Sequence, residues 1–236
     1  MIRSVPVRGF ICGCGHSGTT LITNILAAHP DVYIPLWETG IFLPKRRLPS
    51  WRYWRLVRSA ARAGKRALLE KTPRHIHKLD LIRRTVPGAR FVIPVRDGRD
   101  TVASLYRRSG DAERAFRRWL DESAIVLRER DTPDVLVYRH EDLIDDPPAV
   151  VRRICNFLDL DYRDTLMDFH KEKRLWHGIK EPSNDSERKH RHLRNWQVNQ
   201  PIFDNRGRWQ TDLQQQDIAE ITEGAGRPLM IAFGYL

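Results

Sequence analysis

Acidic residues are in short supply: 30 Asp and Glu stand against 41 Lys and Arg in 236 residues, a net charge of +11. Cysteine is scarcer still. Cys12, Cys14 and Cys155 are an odd number and too few for a disulfide framework, which suits a reducing compartment. Cys12-x-Cys14 with His16 hints at a metal, but the second ligand pair that a closed zinc site needs is missing, so no metal is expected. No run approaches the roughly 18 apolar residues of a membrane span. The start, MIRSVPVRGFICGCG, has neither an apolar signal core nor a cleavage site. A cytoplasmic protein without a membrane span is therefore expected. With 41% hydrophobic and 30% charged residues the chain is too apolar for disorder, and its length suits one domain over residues 1–236.

A positive field attracts nucleic acids, membrane surfaces and anionic small ligands alike, so the charge alone selects none of them. Its placement says more. Nine basic residues (Lys45, Arg46, Arg47, Arg52, Arg55, Arg58, Arg62, Lys65, Arg66) occur from Lys45 to Arg66 with no acidic residue among them, and a second basic stretch runs from His170 to Arg194.

Short apolar runs at Val7 to Cys12, Ala67 to Leu69, Arg90 to Val95 and Val135 to Tyr138 read as strands. Helical spacing marks Thr19 to Ala28, Trp51 to Ala63, Pro73 to Thr85, Asp100 to Arg108, Ala112 to Arg130, Pro147 to Leu158 and Leu213 to Glu223. Strands alternating with helices predict an α/β fold with a central parallel sheet covered on both faces. On the helix from Trp51 to Ala63, the spacing of Trp51, Trp54, Val57 and Arg58, Ala61 predicts a packing face that leaves arginines outward. The polar stretch Glu181 to Arg194 reads as a surface loop.

Ligands of such sheets sit beyond the carboxyl ends of the strands, where two motifs fall. Gly13-Cys14-Gly15-His16-Ser17-Gly18-Thr19-Thr20 keeps the frame of a phosphate loop but lacks the lysine of nucleoside-triphosphate enzymes, with Thr19 in its place. That lysine reaches the β- and γ-phosphates, so its absence points to a nucleotide without them. Loop amides and a helix N-terminus can still hold an anion without a metal. The second motif is Arg96-Asp97-Gly98-Arg99-Asp100-Thr101-Val102-Ala103-Ser104. An arginine at a strand end and a serine two helical turns later suit a second phosphate.

At these residues the sequence resembles the sulfotransferases that use 3′-phosphoadenosine 5′-phosphosulfate (PAPS). GHSGTT resembles the 5′-phosphosulfate loop of that family and RDGRDTVAS its 3′-phosphate motif, with HPD at His29 to Asp31, EKTP at Glu70 to Pro73, HEDL at His140 to Leu143 and GRW at Gly207 to Trp209 in the same order. The bacterial, carbohydrate and tyrosylprotein branches are the most similar. The resemblance implies a P-loop-like three-layer sandwich. It also implies that Gly15, His16, Ser17, Gly18, Thr19 and Thr20 bind the 5′-phosphosulfate, that Arg96, Ser104 and Arg108 bind the 3′-phosphate end, and that Arg206 and Arg208 close over the nucleotide. His16 replaces the usual Lys or Arg, and His140 stands where a tyrosine often meets the adenine.

In-line sulfuryl transfer to a hydroxyl needs a stabilised leaving phosphate, a positioned sulfuryl group and a base. His16 is a candidate for the first task and Lys71 for the second, with Glu70 orienting Lys71. By the resemblance Glu38 is the base, with a helix cap as the plain alternative for Glu38 or Thr39. His75 and His77 are rivals for the base. The basic, tryptophan-bearing segment Lys45 to Arg66 would flank an anionic or sugar-bearing acceptor. The expected activity is transfer of sulfate from PAPS to a hydroxyl of a carbohydrate, a glycosylated metabolite or a peptide tyrosine, releasing 3′-phosphoadenosine 5′-phosphate (PAP). A P-loop kinase or NTPase is the alternative, and a nucleic-acid-binding protein is disfavoured.

Overall fold

The structure, a computed structural model, describes residues 5–44, 48–172, 174, 196 and 199–236. Its strands are β1 (Val7–Ile11), β2 (Val32–Tyr33), β3 (Ala67–Lys71), β4 (Ala89–Val95) and β5 (Val135–Arg139). All pair in parallel in the order β2-β3-β1-β4-β5. Parallel strands need crossovers, and helices supply them. They are α1 (Thr19–Ala27), α2 (Pro49–Arg62), α3 (Leu79–Thr85), α4 (Gly98–Ser109), α5 (Ala112–Glu129), α6 (His140–Asp145) and α7 (Pro147–Phe157), followed by α8 (Trp209–Asp212), α9 (Gln215–Thr222) and α10 (Arg227–Ala232).

Alternation along the strands sends neighbouring residues to opposite faces. Phe10, Leu68, Phe91 and Ile93 meet α2, α3 and α5 through Tyr53, Ala60, Ile82 and Val126. On the other face Ile11, Leu69 and Val92 meet α1 and α7 through Ile22, Ile25, Val151 and Ile154. A third cluster joins α4 and α5 to the C-terminal helices around Trp119, Ile221 and Met230. The P-loop-like sandwich expected from the sequence is the observed architecture.

Several local expectations are corrected. The first of the three runs after β1 extends to Lys71, and the two-residue edge strand β2 was not anticipated. The single helix expected over 73–85 is instead a 3-10 turn, Pro73–Lys78, followed by α3. His75 is the reason: its ring is turned fully inward to Glu70 and to the Phe42 amide, which holds this stretch tight against β3. The packing face of α2 also differs. Tyr53, Ala60 and Ala61 are buried, whereas Trp51 and Trp54 are exposed. The Tyr53 ring stacks on Phe10 at 5.6 Å, and the two alanines allow the helix to approach the sheet. Spacing identified a helix there but pointed the wrong side inward. Short helices α6, α8 and α10 and the 3-10 turn Asp164–Lys171 add to the expected set.

Candidate functional site

Because the strands are parallel, their carboxyl ends share one edge, and the register aligns Ile11 with Lys71 and Val95 with Arg139. The glycine loop after β1, Lys71 at the end of β3, Arg96 after β4 and His140 after β5 therefore lie along that edge. This is where ligands of open α/β sheets bind.

The loop 12–18 ends in Gly18, which caps α1 with φ 100°, a conformation that disfavours any side chain. Among the described residues no side chain caps the first turn of α1, and none of its first-turn residues is acidic. The start of α1 thus presents amides and the positive end of the helix dipole. The His140 ring lies directly against Gly18, where a β-carbon would collide with its Nδ1. Burial, then the charges of Arg96 and Arg206, lower the His140 pKa to about 3, so its ring is neutral at ordinary pH.

His16 has φ 72°, and its Nδ1 lies 2.8 Å from the Ser104 hydroxyl of α4. The glycine loop and the RDGRDTVAS segment are thus in direct contact through residues 88 apart in the chain. Arg96 is buried, with Nη2 on the carbonyl and side-chain oxygens of Asn205 at 3.2 Å and a looser contact to Asp100 at 3.6 Å. Its Nε is buried with no hydrogen-bond partner among the described residues. Asp100 in turn accepts from the Gly207 and Trp209 amides at 3.0 and 3.3 Å, and Arg99 lies over the Trp209 ring at 4.5 Å. The RDGRD and GRW motifs are therefore bound to one another. Arg206 is exposed and held by Asp204 and Asp145 at 2.7 and 2.8 Å. Arg108 and Arg208 are exposed.

Lys71 and Glu38 form an ion pair of 2.8 Å, with the lysine side chain fully buried and the carboxylate 30% exposed. The residue before Lys71 explains how a loop brings Glu38 there. Glu70 points to the opposite face of β3, where it accepts from Thr39 at 2.6 Å and Thr72 at 2.7 Å and contacts His75 Nδ1 at 2.8 Å. The Gly40 amide donates to the Thr72 hydroxyl, and the Phe42 amide to His75 Nε2. Three residues of the 39–42 loop, Thr39, Gly40 and Phe42, are thereby tied to β3 and the turn after it, leaving Glu38 at Lys71. Burial pushes the Glu70 carboxyl up, but His75 and the hydrogen bonds from Thr39 and Thr72 outweigh it and hold the pKa below its ordinary value. Glu70 therefore anchors the Glu38 loop rather than Lys71 itself. Neither Glu38 nor Thr39 caps a helix, and His75 is sealed in the core, away from any acceptor.

Glu122 on α5 was not anticipated. It is buried, and it accepts from the Gly15 amide at 3.1 Å and from Arg118 Nε at 3.1 Å, with His77 Nε2 at 3.4 Å. Burial raises its pKa, but these partners prevail and hold it low. It braces the glycine loop from α5 through the Gly15 amide. Its only signal in the sequence is a carboxylate on an otherwise apolar helix face. Cys12 and Cys14 are buried, and burial pushes both thiols up. Among the described residues no cluster of His, Cys, Asp and Glu could hold a metal, and no helix is long and apolar enough to cross a membrane. Lys45, Arg46, Arg47 and the stretch 181–194 lie outside the described residues.

A model of the sulfotransferase family matches residues 48–164. A putative protein-tyrosine sulfotransferase of Caenorhabditis briggsae is 28% identical, over 69% of this chain and 69% of that one. Protein-tyrosine sulfotransferase A of Caenorhabditis elegans is 26% identical over 72% of this chain, which spans about half of that protein, 54%. A mouse sulfotransferase solved with PAP superposes with a TM-score of 0.62 at 12% identity, over 97% of this chain and 90% of that one, a likeness of fold.

Proposed function

The chain belongs to the sulfotransferase family, and from that premise we propose that it transfers a sulfuryl group from PAPS to a hydroxyl, releasing PAP. The observation that supports this most is the contact between His16 and Ser104, which brings the glycine loop and the RDGRDTVAS segment together. One nucleotide with phosphates at both ends of its ribose would engage both. The uncapped start of α1 and the buried, unpartnered Arg96 Nε fit such an anion.

In this reading Gly15, Ser17, Gly18, Thr19 and Thr20 hold the 5′-phosphosulfate, and Arg96, Ser104 and Arg108 the 3′-phosphate. Arg206 and Arg208 cover the nucleotide. Glu38 takes the proton of the acceptor hydroxyl as its oxygen attacks sulfur. The bond between sulfur and the bridging oxygen breaks, and that oxygen leaves with PAP, its growing charge met by Lys71 and His16. The ion pair fixes Glu38 beside Lys71 so that base and cation act on the same sulfuryl group. The names of the worm relatives favour a tyrosine hydroxyl among the acceptor classes.

Transfer of labelled sulfate from PAPS to tyrosine peptides and sugar acceptors, without added metal, is the expected result. Magnesium-dependent ATP hydrolysis with no sulfate transfer would instead favour a kinase or NTPase.

A further inference from the structure

Residues 37–54 carry an unusual concentration of exposed apolar side chains: Trp37, Leu48, Trp51 and Trp54, exposed by 45, 71, 55 and 38%. Three of them belong to α2 or to its N-cap, Leu48. With Tyr53, Ala60 and Ala61 turned into the core, helical geometry puts Trp51, Trp54, Arg55, Arg58 and Arg62 within an outward arc of about 100°. All five are exposed. Arg55 lies over the Trp51 ring at 4.8 Å, and Arg8 over that of Trp54 at 5.2 Å. Residues 45–66 contain no carboxylate that could neutralise this face.

We infer that the outward face of α2 docks the protein on an anionic lipid surface. Arginines and indoles interleaved on one helix face match the headgroup layer of a bilayer, where the cations meet anionic lipid and the rings sit at the polar–apolar boundary. The helix is about 21 Å long and its face is a convex ridge, since the opposite side is packed on the sheet. A ridge suits a broad surface. Proteins that bind single-stranded nucleic acid stack bases along a basic groove instead. The proposal concerns attachment only and is independent of the reaction.

The test is co-sedimentation of the full chain with vesicles of phosphatidylcholine alone or with about 30% phosphatidylserine. The wild type is expected to sediment with the anionic vesicles. Trp51→Gln/Trp54→Gln and Arg55→Glu/Arg58→Glu should each lower that partition at least about tenfold, with thermal unfolding unchanged. Arg84→Glu/Arg128→Glu, at exposed positions on α3 and α5, makes the same charge change elsewhere and should keep the partition within about twofold. An equal loss in this control, equal binding to both vesicles, or no binding to either overturns the proposal. So does vesicle binding that survives the α2 changes while binding of polyglutamate or single-stranded DNA is lost.

Discussion

Replacing Lys71 by Met is expected to lower kcat for sulfate transfer by about a thousandfold, the scale seen when one electrostatic partner of a transition state is removed. The methionine keeps the aliphatic bulk that a fully buried position on β3 demands, while it removes the charge 2.8 Å from Glu38. Stability and PAP affinity should change far less than kcat, because the loop, Arg96 and Ser104 are untouched. Glu38→Gln keeps the shape of the pair and removes the base, so it should cost about a hundredfold or more. Near-wild-type turnover in both variants, with a true acceptor, would remove Lys71 and Glu38 from the mechanism.

Gly18→Ala is the second large effect. At φ 100° the methyl group is strained by the backbone itself, and it also runs into the His140 ring. The expected cost is about 1–3 kcal/mol of stability and more than about tenfold in nucleotide affinity, since the loop must open to relieve the clash. Gly64→Ala is the comparison. Its φ is 70° with nothing within 4 Å, so it carries backbone strain alone and should cost about 1 kcal/mol. Nucleotide binding should be unchanged there. Equal effects of the two substitutions, read by thermal unfolding and titration calorimetry, would show that His140 does not brace the loop.

Much of the sheet was legible because β1, β3, β4 and β5 are short apolar runs between breakers, the first three almost wholly buried. β2, with two residues, and α6, which follows β5 without a break, carry too little pattern to be seen. For α2 the periodicity was visible but its inward side was not: Tyr53 and two alanines, rather than two tryptophans, fit the space over Phe10. The glycine loop and the RDGRD motif stand out in the local sequence. Their contact through His16 and Ser104 could not, because it depends on where β1 and β4 lie in the sheet. The same holds for Glu70, which reads as a neighbour of Lys71 yet faces away from it, and for Glu122, 107 residues from the amide it accepts. Such tertiary hydrogen bonds leave no periodic trace.

The central claim is that the edge of this sheet holds a nucleotide phosphorylated at both ends of its ribose. Titration calorimetry with PAP and with 5′-AMP tests it most directly, since the two differ only in the 3′-phosphate assigned to Arg96 and Ser104. PAP is expected to bind at least about a hundredfold more tightly, the scale of charge-assisted contacts from a buried arginine, and Arg96→Ala should erase most of that difference. Equal affinity for PAP and 5′-AMP in the wild type would contradict the account.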